Sequence, residues 1–535
     1  MIPRAPLLRF APLAALVVLH AAVALAAWHF GAGMNSDSAT GFQLWDNWRA
    51  GHPFNHQLAP DPADLARDVS FFQAWWSPGQ YLIVAPLQLL GLTLGQSIAL
   101  GTFFWTGLGL VGWWRLYTVG GFDEPTRLAS IVVLGCNWTF LRNYGDYMGG
   151  ELALLSLAPW LILALWTVAA RGSAALLLLS PALVWLGTMA KNTFLPVAAA
   201  TLLVARWRWP LLPVRRLALD LTVIGLALAL GQGLFWLTFL SHGWHPGSGG
   251  LGGLSSDASL NLARLVSFPL GGVFSLQNLL GRVFLHPSAP RAAGWTDLAP
   301  LLLVLAVVLG ALTLWLVRRE LALRPAYGRL VAATTLASLA FFALFAVTRD
   351  VAGLEERFLR PCSFLLLPAV VAALRAGGSW LLRAPLLALA FVGTAYGAAS
   401  GPLRARHIAN ADNTSSRGVH QAALSRAAFA ELRALDQRLP AGSLIVLPSP
   451  DAALERFRCR VWATHFEMAS TDSVAPQDFT GSVPALLLVA SRQRSESPEL
   501  ARLLRRFTAF PASAWQRHEV DGWVFHLASA PPRAP

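Results

Sequence analysis

The sequence has little charge for its length. Only 13% of its 535 residues are Asp, Glu, Lys or Arg, whereas 55% are hydrophobic. Soluble domains carry roughly 25% charged residues, so the deficit indicates that most of the chain lies in lipid. The net charge of +13 would favour nucleic-acid binding in a soluble protein. Here the arginines cluster in short gaps between apolar runs, as the positive-inside rule requires, and no nucleic-acid partner is expected.

Cysteine and lysine are also scarce. The three cysteines are far apart and form no Cys-x-x-Cys pair, so the sequence predicts neither a disulfide framework nor a thiolate metal site. Among 41 basic residues there is one lysine, Lys191. A single lysine that stands against such a bias towards arginine is a candidate for a specific role.

Long apolar runs dominate the first three quarters of the chain. A helix needs about 20 apolar residues to cross a bilayer, and partly buried spans need fewer. We place eleven spans near residues 10–31, 97–117, 126–142, 152–170, 173–189, 192–205, 217–240, 298–317, 329–348, 361–375 and 384–400. The arginine-rich gaps then fall on the side of the N-terminus, which is cytoplasmic by the positive-inside rule. The sequence predicts a multi-pass protein of a bacterial inner membrane with its C-terminus outside the cytoplasm.

The run from Tyr81 to Leu94 does not fit this parity. It is short and follows the tryptophan-containing segment 75–79, and tryptophan favours the headgroup level. An interfacial or re-entrant helix on the outer face is therefore expected. The alternative is that this run crosses the membrane and one later hairpin does not. Two long external loops, 32–79 and 241–295, are predicted to be functional or disordered.

The character of the sequence changes after Ser400. Residues 401–535 are polar and mixed, with helical patterns at 426–438 and 499–507 and strand patterns at 443–447, 485–490 and 522–527. We expect a transmembrane domain over 1–400 and a small extracytoplasmic α/β domain over 401–535, long enough for its own core. The second domain is interpreted as a structural cap or a substrate-binding module.

Four polar segments come next to predicted spans on the outer side. They contain Asp37, residues 142–151, Lys191 and residues 356–361. Ionisable groups near membrane depth are costly and therefore suggest function. Each segment also has a structural explanation: Asp37 or Ser36 can cap a helix, an arginine can extend to the interface, and neighbouring charges can pair. Together the segments offer cations for a phosphate and carboxylates for a hydroxyl acceptor.

In order and sidedness these segments resemble the GT-C superfamily of integral-membrane glycosyltransferases, over about residues 10–375. The similar branch contains protein O-mannosyltransferases and lipid A aminoarabinose transferases. Asp37 stands where that branch has an aspartate after the first span, and residues 75–81 (WWSPGQY) resemble its tryptophan/proline/glycine element. Residues 356–361 (ERFLRP) match its Glu-Arg-Tyr-Leu-x-Pro motif with Phe for Tyr. The Lys191 hairpin departs from its pattern by two inserted residues.

The resemblance implies inverting transfer of a sugar from a polyprenyl-phosphate donor to a lipid, glycan or protein acceptor at the outer membrane face. Asp37 is the expected general base. Segment 142–151 is longer than in the family, so either Asp146 or Glu151 is the expected second acid. The expected phosphate-binding residues are Lys191, Arg142, Arg357 and Arg360, and the expected acceptor or lid residues are Asp46, Trp76, Tyr81, His242 and His245. No cofactor is expected; the lack of a paired-acid motif beside Asp37 favours a metal-free site, although some members use a divalent metal.

Two other functions compete with this interpretation. A transporter or flippase of lipid-linked sugars would also carry many spans and intramembrane charges, but it predicts two matching halves with broken helices, and the sequence contains no such repeat. A non-catalytic membrane scaffold would leave Asp37 and Lys191 unexplained. The sequence names neither the sugar nor the acceptor.

Overall fold

The computed structural model describes residues 10–74, 77–207, 213–243, 272–274, 295–348, 356–377, 380–464 and 474–530. It divides into two compact units. The first, called the helical unit here, comprises Met1–Val23, Thr102–Arg142 and Gly149–Pro402. The second, called the mixed unit, comprises Ala24–Gly101, Asn143–Met148 and Leu403–Pro535.

Helices make up most of the described chain. In chain order they are α1 (Ala11–Phe30), α2 (Ser36–Arg49), α3 (Gly79–Leu82), α4 (Leu94–Val119), α5 (Glu124–Gly135), α6 (Trp138–Gly145), α7 (Gly149–Ala170), α8 (Ser173–Ala190), α9 (Leu195–Ala205), α10 (Val214–Thr238), α11 (Trp295–Ala322), α12 (Pro325–Thr348), α13 (Arg360–Arg375), α14 (Trp380–Ala411), α15 (Arg426–Arg438), α16 (Arg492–Ser495) and α17 (Pro498–Arg505).

Eight helical stretches in the described ranges are long and apolar enough to cross a membrane. They are Ala11–Phe30, Leu94–Val119, Gly149–Ala170, Ser173–Ala190, Val214–His242, Pro325–Leu344, Glu356–Arg375 and Arg383–Ala411. The prediction of a mostly helical chain with several membrane-compatible helices is therefore confirmed. The count of eleven spans and their orientation stay predictions. The expected short helix after Tyr81 corresponds to a shorter apolar stretch, Gly79–Leu90.

The predicted span 126–142 is wrong as a single helix, because α5 ends at Gly135 and α6 begins at Trp138. The Asn137 side chain accepts a hydrogen bond from the backbone N–H of Thr139 at 3.0 Å. This bond caps the new helix and competes with continuation of the old one. Gly397 of α14 approaches the Cys136 carbonyl so closely that no Cβ fits between them. The break thus serves as a packing point inside the helical unit.

The last long helix does not end near residue 400. Helix α14 continues through Pro402 to Ala411. Polarity changes after Ser400, but leucine, alanine and arginine, which are good helix formers, still predominate. The sequence pattern therefore marked the end of the apolar stretch and not the end of the helix.

The mixed unit contains all the described strands. They are β1 (Ala32–Gly33), β2 (His56–Asp61), β3 (Asp64–Phe72), β4 (Val419–His420), β5 (Leu444–Leu447), β6 (Arg460–Ala463), β7 (Ala485–Ser491), β8 (Trp515–Val520) and β9 (Trp523–Ser529). The C-terminal sheet has the order β6-β5-β7-β9-β8; the first three strands are parallel, and β9 and β8 are antiparallel additions. The predicted C-terminal sheet region is thereby confirmed.

Both faces of this sheet are covered. Along β5, Leu444 and Val446 belong to one hydrophobic cluster, and Ile445 and Leu447 belong to the other, as the period of two in a strand requires. The second cluster packs against the amphipathic helix α15 through residues such as Leu432. Two buried faces explain why the strand sequences are continuously apolar.

The long segment after α1 is structured and belongs to the mixed unit. Strands β2 and β3 form an antiparallel hairpin. Leu65 of β3 is fully buried in the same cluster as one face of the C-terminal sheet, and its N–H donates to the carbonyl of Thr480 at 2.8 Å. The two sequence-distant segments thus share one core.

Candidate functional site

A buried ion pair joins Glu151 and Lys191 in the helical unit. Glu151 lies in the first turn of α7, and Lys191 directly follows α8. A short turn at Gly172, where φ is +118°, reverses the chain between these helices, so the start of α7 and the end of α8 come together. The Lys191 Nζ lies 2.5 Å from Glu151 Oε1, and the two side chains are 18% and 7% exposed.

Arg357 approaches the same carboxylate. It lies in a 3-10 turn, Glu356–Leu359, that leads into α13, and its Nη1 is 3.7 Å from Glu151 Oε1. The ring of Phe358 contacts both cations: its centroid is 5.5 Å from Lys191 Nζ and 5.3 Å from Arg357 Cζ. The electron-rich face of an aromatic ring attracts cations at such distances.

Two further arginines share one indole ring. Arg142 lies with its Cζ 4.4 Å from the ring centroid of Trp138, and the Cζ of Arg360 is 5.7 Å from the same centroid. Arg360 is buried and interacts electrostatically with both glutamates, Glu151 and Glu356, and with Arg142 and Arg357. We call the six charged residues the cation cluster: Arg142, Glu151, Lys191, Glu356, Arg357 and Arg360.

The cation cluster contains four positive and two negative side chains in surroundings with little solvent. Collecting like charges under such conditions costs free energy, so structural stability is a poor reason for the arrangement. Arginine presents a planar fork of donors that matches the oxygens of a phosphate, and lysine contributes a compact charge. An anionic group is therefore the chemical partner that this cluster suits best.

An apolar groove lies in the same unit as the cation cluster. It has a volume of about 400 Å³ and runs between α9, α10 and α12 of the helical unit. Its lining residues are Leu195, Pro196, Ala199, Leu228, Ala229, Gln232, Ala337 and Phe341. Because Leu195 and Pro196 come just after Lys191 in the chain, an alkyl chain in the groove can lead towards the cluster.

Asp37 lies in the mixed unit, half-buried in the first turn of α2. The helix cap is its neighbour Asn35, whose Oδ1 accepts a hydrogen bond from the Asp37 N–H at 3.0 Å. The sequence-based alternative that Ser36 or Asp37 caps this helix is therefore wrong. A negative charge at a helix N-terminus is still favourable.

The two alternative second acids have different neighbours. Glu151 belongs to the cation cluster of the helical unit, whereas Asp146 belongs to the mixed unit, where its Oδ2 is 3.7 Å from Nη2 of Arg404. The adjacent Tyr147 is fully buried, and its hydroxyl donates to the carbonyl of Gln80 at 2.8 Å. Asp146 is thus fixed beside the core of the mixed unit.

Three of the five expected acceptor or lid residues lie in the described part of the chain. Asp46 forms a two-pronged ion pair with Arg417 in the mixed unit. Tyr81 is buried, and its hydroxyl donates to Asn55 Oδ1 at 2.8 Å. His242 lies in the helical unit and is exposed, with its Nε2 atom 2.8 Å from the carbonyl oxygen of Leu237. Trp76 and His245 lie outside the described residues.

Sequence reasoning missed Trp138, and it noted Phe358 within the motif 356–361 without assigning it a role. A signal existed for Trp138, since it precedes Arg142 by one helical turn, the spacing at which side chains meet. Glu356 was noted within its motif but was not assigned a role. Within the described ranges, no group of three or more His, Cys, Asp and Glu side chains has an arrangement that could hold a metal ion; metal dependence stays a prediction.

Comparison with known proteins adds no further constraint. No protein family matches the chain, and no curated protein matches its sequence. The function of the protein is therefore inferred from the chemistry of the site and from the resemblance of its motifs.

Proposed function

We propose that this protein is an inverting membrane glycosyltransferase. It moves a sugar from a polyprenyl-phosphate donor to a hydroxyl of an acceptor at the outer face of the inner membrane. The observation that carries the proposal is the cation cluster, in which Lys191 and Arg357 approach the Glu151 carboxylate and Arg360 interacts with it electrostatically, together with an apolar groove in the same unit. A lipid-linked phosphate needs both features, cations for its head and an apolar path for its tail.

The reaction is a single displacement. Asp37 accepts the proton of the acceptor hydroxyl while that oxygen forms a bond to the anomeric carbon of the sugar. The bond between that carbon and the phosphate oxygen breaks, and its electron pair leaves with the polyprenyl phosphate. Attack opposite to the leaving group inverts the anomeric configuration.

The cations act on the leaving group. Negative charge grows on the departing phosphate, and preorganised donors that face this charge lower the barrier. Lys191 and Arg357 supply the nearest of these donors in the proposal, with Arg142 and Arg360 behind them. Glu151 is a positioning residue: its carboxylate holds Lys191 and Arg357 in place and offsets part of their mutual repulsion when no donor is bound.

The test is direct transfer by the purified full-length protein in lipid nanodiscs. Synthetic polyprenyl phosphates that carry different radiolabelled sugars are supplied with a delipidated envelope extract as the acceptor source. Release of free polyprenyl phosphate, dependent on the extract and abolished in Asp37→Asn, is the expected result. Movement of intact donor across proteoliposomes, with no release of polyprenyl phosphate, would instead identify a flippase and refute the proposal.

A further inference from the structure

The mixed unit contains a mainly polar cleft that the proposed reaction does not use. Its volume is about 510 Å³, which is within the range of about 300–1,000 Å³ for small-molecule sites. Helix α2, the β2–β3 hairpin and the segment around β6 contribute to its walls. Its lining residues are Gln43, Asp46, Asn47, Arg49, Gln57, Leu58, Asp68, Gln88, Arg417, Ala453, Glu455, Arg456, Phe457, Cys459, Arg460, Val461 and Ala463.

Each carboxylate in the cleft wall is paired with an arginine. Nη2 of Arg417 donates to Asp46 Oδ1 at 2.9 Å, and Nε of Arg460 donates to Asp68 Oδ2 at 3.1 Å. The third acid, Glu455, accepts hydrogen bonds from Ser416 and from Nε of Arg433, the latter at 3.0 Å. Burial opposes its ionisation, but these bonds more than offset that effect and lower the pKa of Glu455.

Three ion pairs therefore lie at the cleft. The lining has three carboxylates and four arginines, of which Arg49 and Arg456 are outside the pairs, and Arg433 reaches Glu455 from outside the lining. The cation cluster of the helical unit differs, since two of its cations, Lys191 and Arg357, approach one carboxylate. A multiply charged anion would have to break the pairs of the cleft, whereas a neutral ligand can hydrogen-bond to them as they stand.

Four side-chain amides add donors and acceptors. The side-chain nitrogen of Gln43 donates a hydrogen bond to the carbonyl of Pro450 at 2.9 Å. That of Asn47 donates to the carbonyl of His56 at 3.0 Å. Gln88 uses its oxygen to accept from Arg417, and its nitrogen has no partner among the described residues. Gln57 accepts from Gln73 through its oxygen. The oxygens of Gln43 and Asn47 and the nitrogen of Gln57 thus remain available for a ligand that both donates and accepts.

An aromatic ring completes the cleft. Phe457 is half-buried at its edge, packed against the second hydrophobic cluster of the sheet. A hydroxyl-rich sugar ring has polar edges, which suit paired charges and amides, and an apolar face, which suits an aromatic ring. We propose that this cleft binds a neutral oligosaccharide.

Under the proposed function this oligosaccharide is part of the acceptor, but its binding needs neither donor nor catalysis. The inference also gives the mixed unit a substrate-binding role. Asp46 acts in it as a positioning residue, since it fixes the guanidinium of Arg417 at the cleft wall.

The test is binding of sugars to the full-length protein in detergent, with no donor present. An array of neutral oligosaccharides of two to four hexose, pentose and N-acetylhexosamine units is used, beside phosphorylated versions of the same compounds. Calorimetry then gives the Kd of the best neutral compound. Gln57→Ala and Phe457→Leu should each raise the Kd for this compound at least about fivefold. The matched changes Gln516→Ala and Phe391→Leu, at exposed positions outside the cleft lining, should leave the Kd unchanged, and thermal melting verifies that all four variants fold.

Absence of any neutral binder, binding of phosphorylated compounds alone, or equal weakening by the control changes would overturn the inference. The result is separable from the proposed reaction. Neutral binding that depends on Gln57 without any sugar transfer would refute the transferase and leave the cleft assignment intact. Sugar transfer without such binding would refute the cleft assignment and leave the transferase intact.

Discussion

Lys191 is the residue of the site whose proposed role gives the clearest test. Its ammonium contacts Glu151 and the ring of Phe358, and in the proposal it contacts the donor phosphate. A hydrogen bond to a charged group contributes about 1.5–3 kcal/mol, which corresponds to a factor of roughly 10 to 100 in binding. We expect Lys191→Ala to raise the KM for the donor by at least about tenfold, and Lys191→Arg to recover part of this loss because the charge is kept.

The measurement for Lys191 is steady-state transfer at varied donor concentration. Arg215→Ala is the matched control, since Arg215 is an exposed cation at the start of α10 and should leave the KM unchanged. A purely structural lysine would instead lower the melting temperature of Lys191→Ala without a change in donor KM.

Asp37 can be tested without a large effect on stability. Asn35 provides the helix cap, so Asp37→Asn leaves the cap intact and weakens the attraction between a carboxylate and the helix N-terminus, which contributes about 0.3–1 kcal/mol. General base catalysis contributes roughly 10²–10⁴-fold. We expect Asp37→Asn to insert and melt nearly as the parent does, to bind donor normally, and to transfer sugar at least about 100-fold more slowly. If Asp37→Asn keeps more than about a tenth of the transfer rate, its loss of rate is smaller than the roughly 100-fold minimum for a general base. The base then lies elsewhere, and Asp46 is the next carboxylate to test.

Individual residues of the site are recognisable from the sequence for compositional reasons, but their pairing is not. Lys191 stands out as the one lysine in an arginine-rich chain. Its contact with Glu151 joins positions 40 residues apart and depends on the short turn between two helices. Trp138 looks like an ordinary membrane aromatic in the sequence, although Arg142 follows it by one helical turn. The contact of Phe358 with Lys191 cannot be read from the sequence, because it depends on where the fold brings the end of α8.

At the scale of helices, the break between α5 and α6 is a packing device. The Cα of Gly397 sits against the Cys136 carbonyl, where no side chain fits, and small residues allow such close approach of helices. We expect Gly397→Ala to cost about 1–3 kcal/mol, as overpacking does, and to lower the melting temperature in detergent.

Gly225 provides the control for that change. It also lies within a long apolar helix, α10, but has open space where a Cβ would stand. Gly225→Ala should therefore melt at or slightly above the parent temperature, since alanine favours a helix over glycine. Equal melting of Gly397→Ala and the parent would show that α14 does not pack tightly at the break.

The strands that the sequence predicted accurately are those with a strong apolar pattern. Strands β5, β7 and β9 agree with the sequence within a residue or two, because two covered faces make them apolar throughout. Strand β8 is mostly exposed and carries Arg517, His518 and Glu519, so its sequence reads as a loop. The β2–β3 hairpin was missed for the same reason: its charged positions hide the one deeply buried residue, Leu65.

For the whole molecule, orientation is the prediction on which the outer-face assignments depend. Cys459 is a poor reporter of it, because the thiol is 7% exposed and burial, with the neighbouring Asp436, raises its pKa to about 11. Thiol reagents attack through the thiolate, so this cysteine would label slowly on either side. Ala501 on α17 and Arg215 at the start of α10 are exposed and are better positions for an introduced cysteine.

Five predicted spans separate these two positions, an odd number, so they should lie on opposite sides of the membrane. We expect a membrane-impermeant maleimide to label Ala501→Cys in cells whose outer membrane alone is permeabilised, because eleven crossings from a cytoplasmic N-terminus end outside. Arg215→Cys should label only after the inner membrane is disrupted, as the positive-inside rule requires for the arginine-rich gap around it. The parent protein provides the background. Labelling of both positions under the same condition would show that the number of crossings between them is even. The reverse pattern would place the mixed unit in the cytoplasm, where the polar cleft could not meet an acceptor at the outer face.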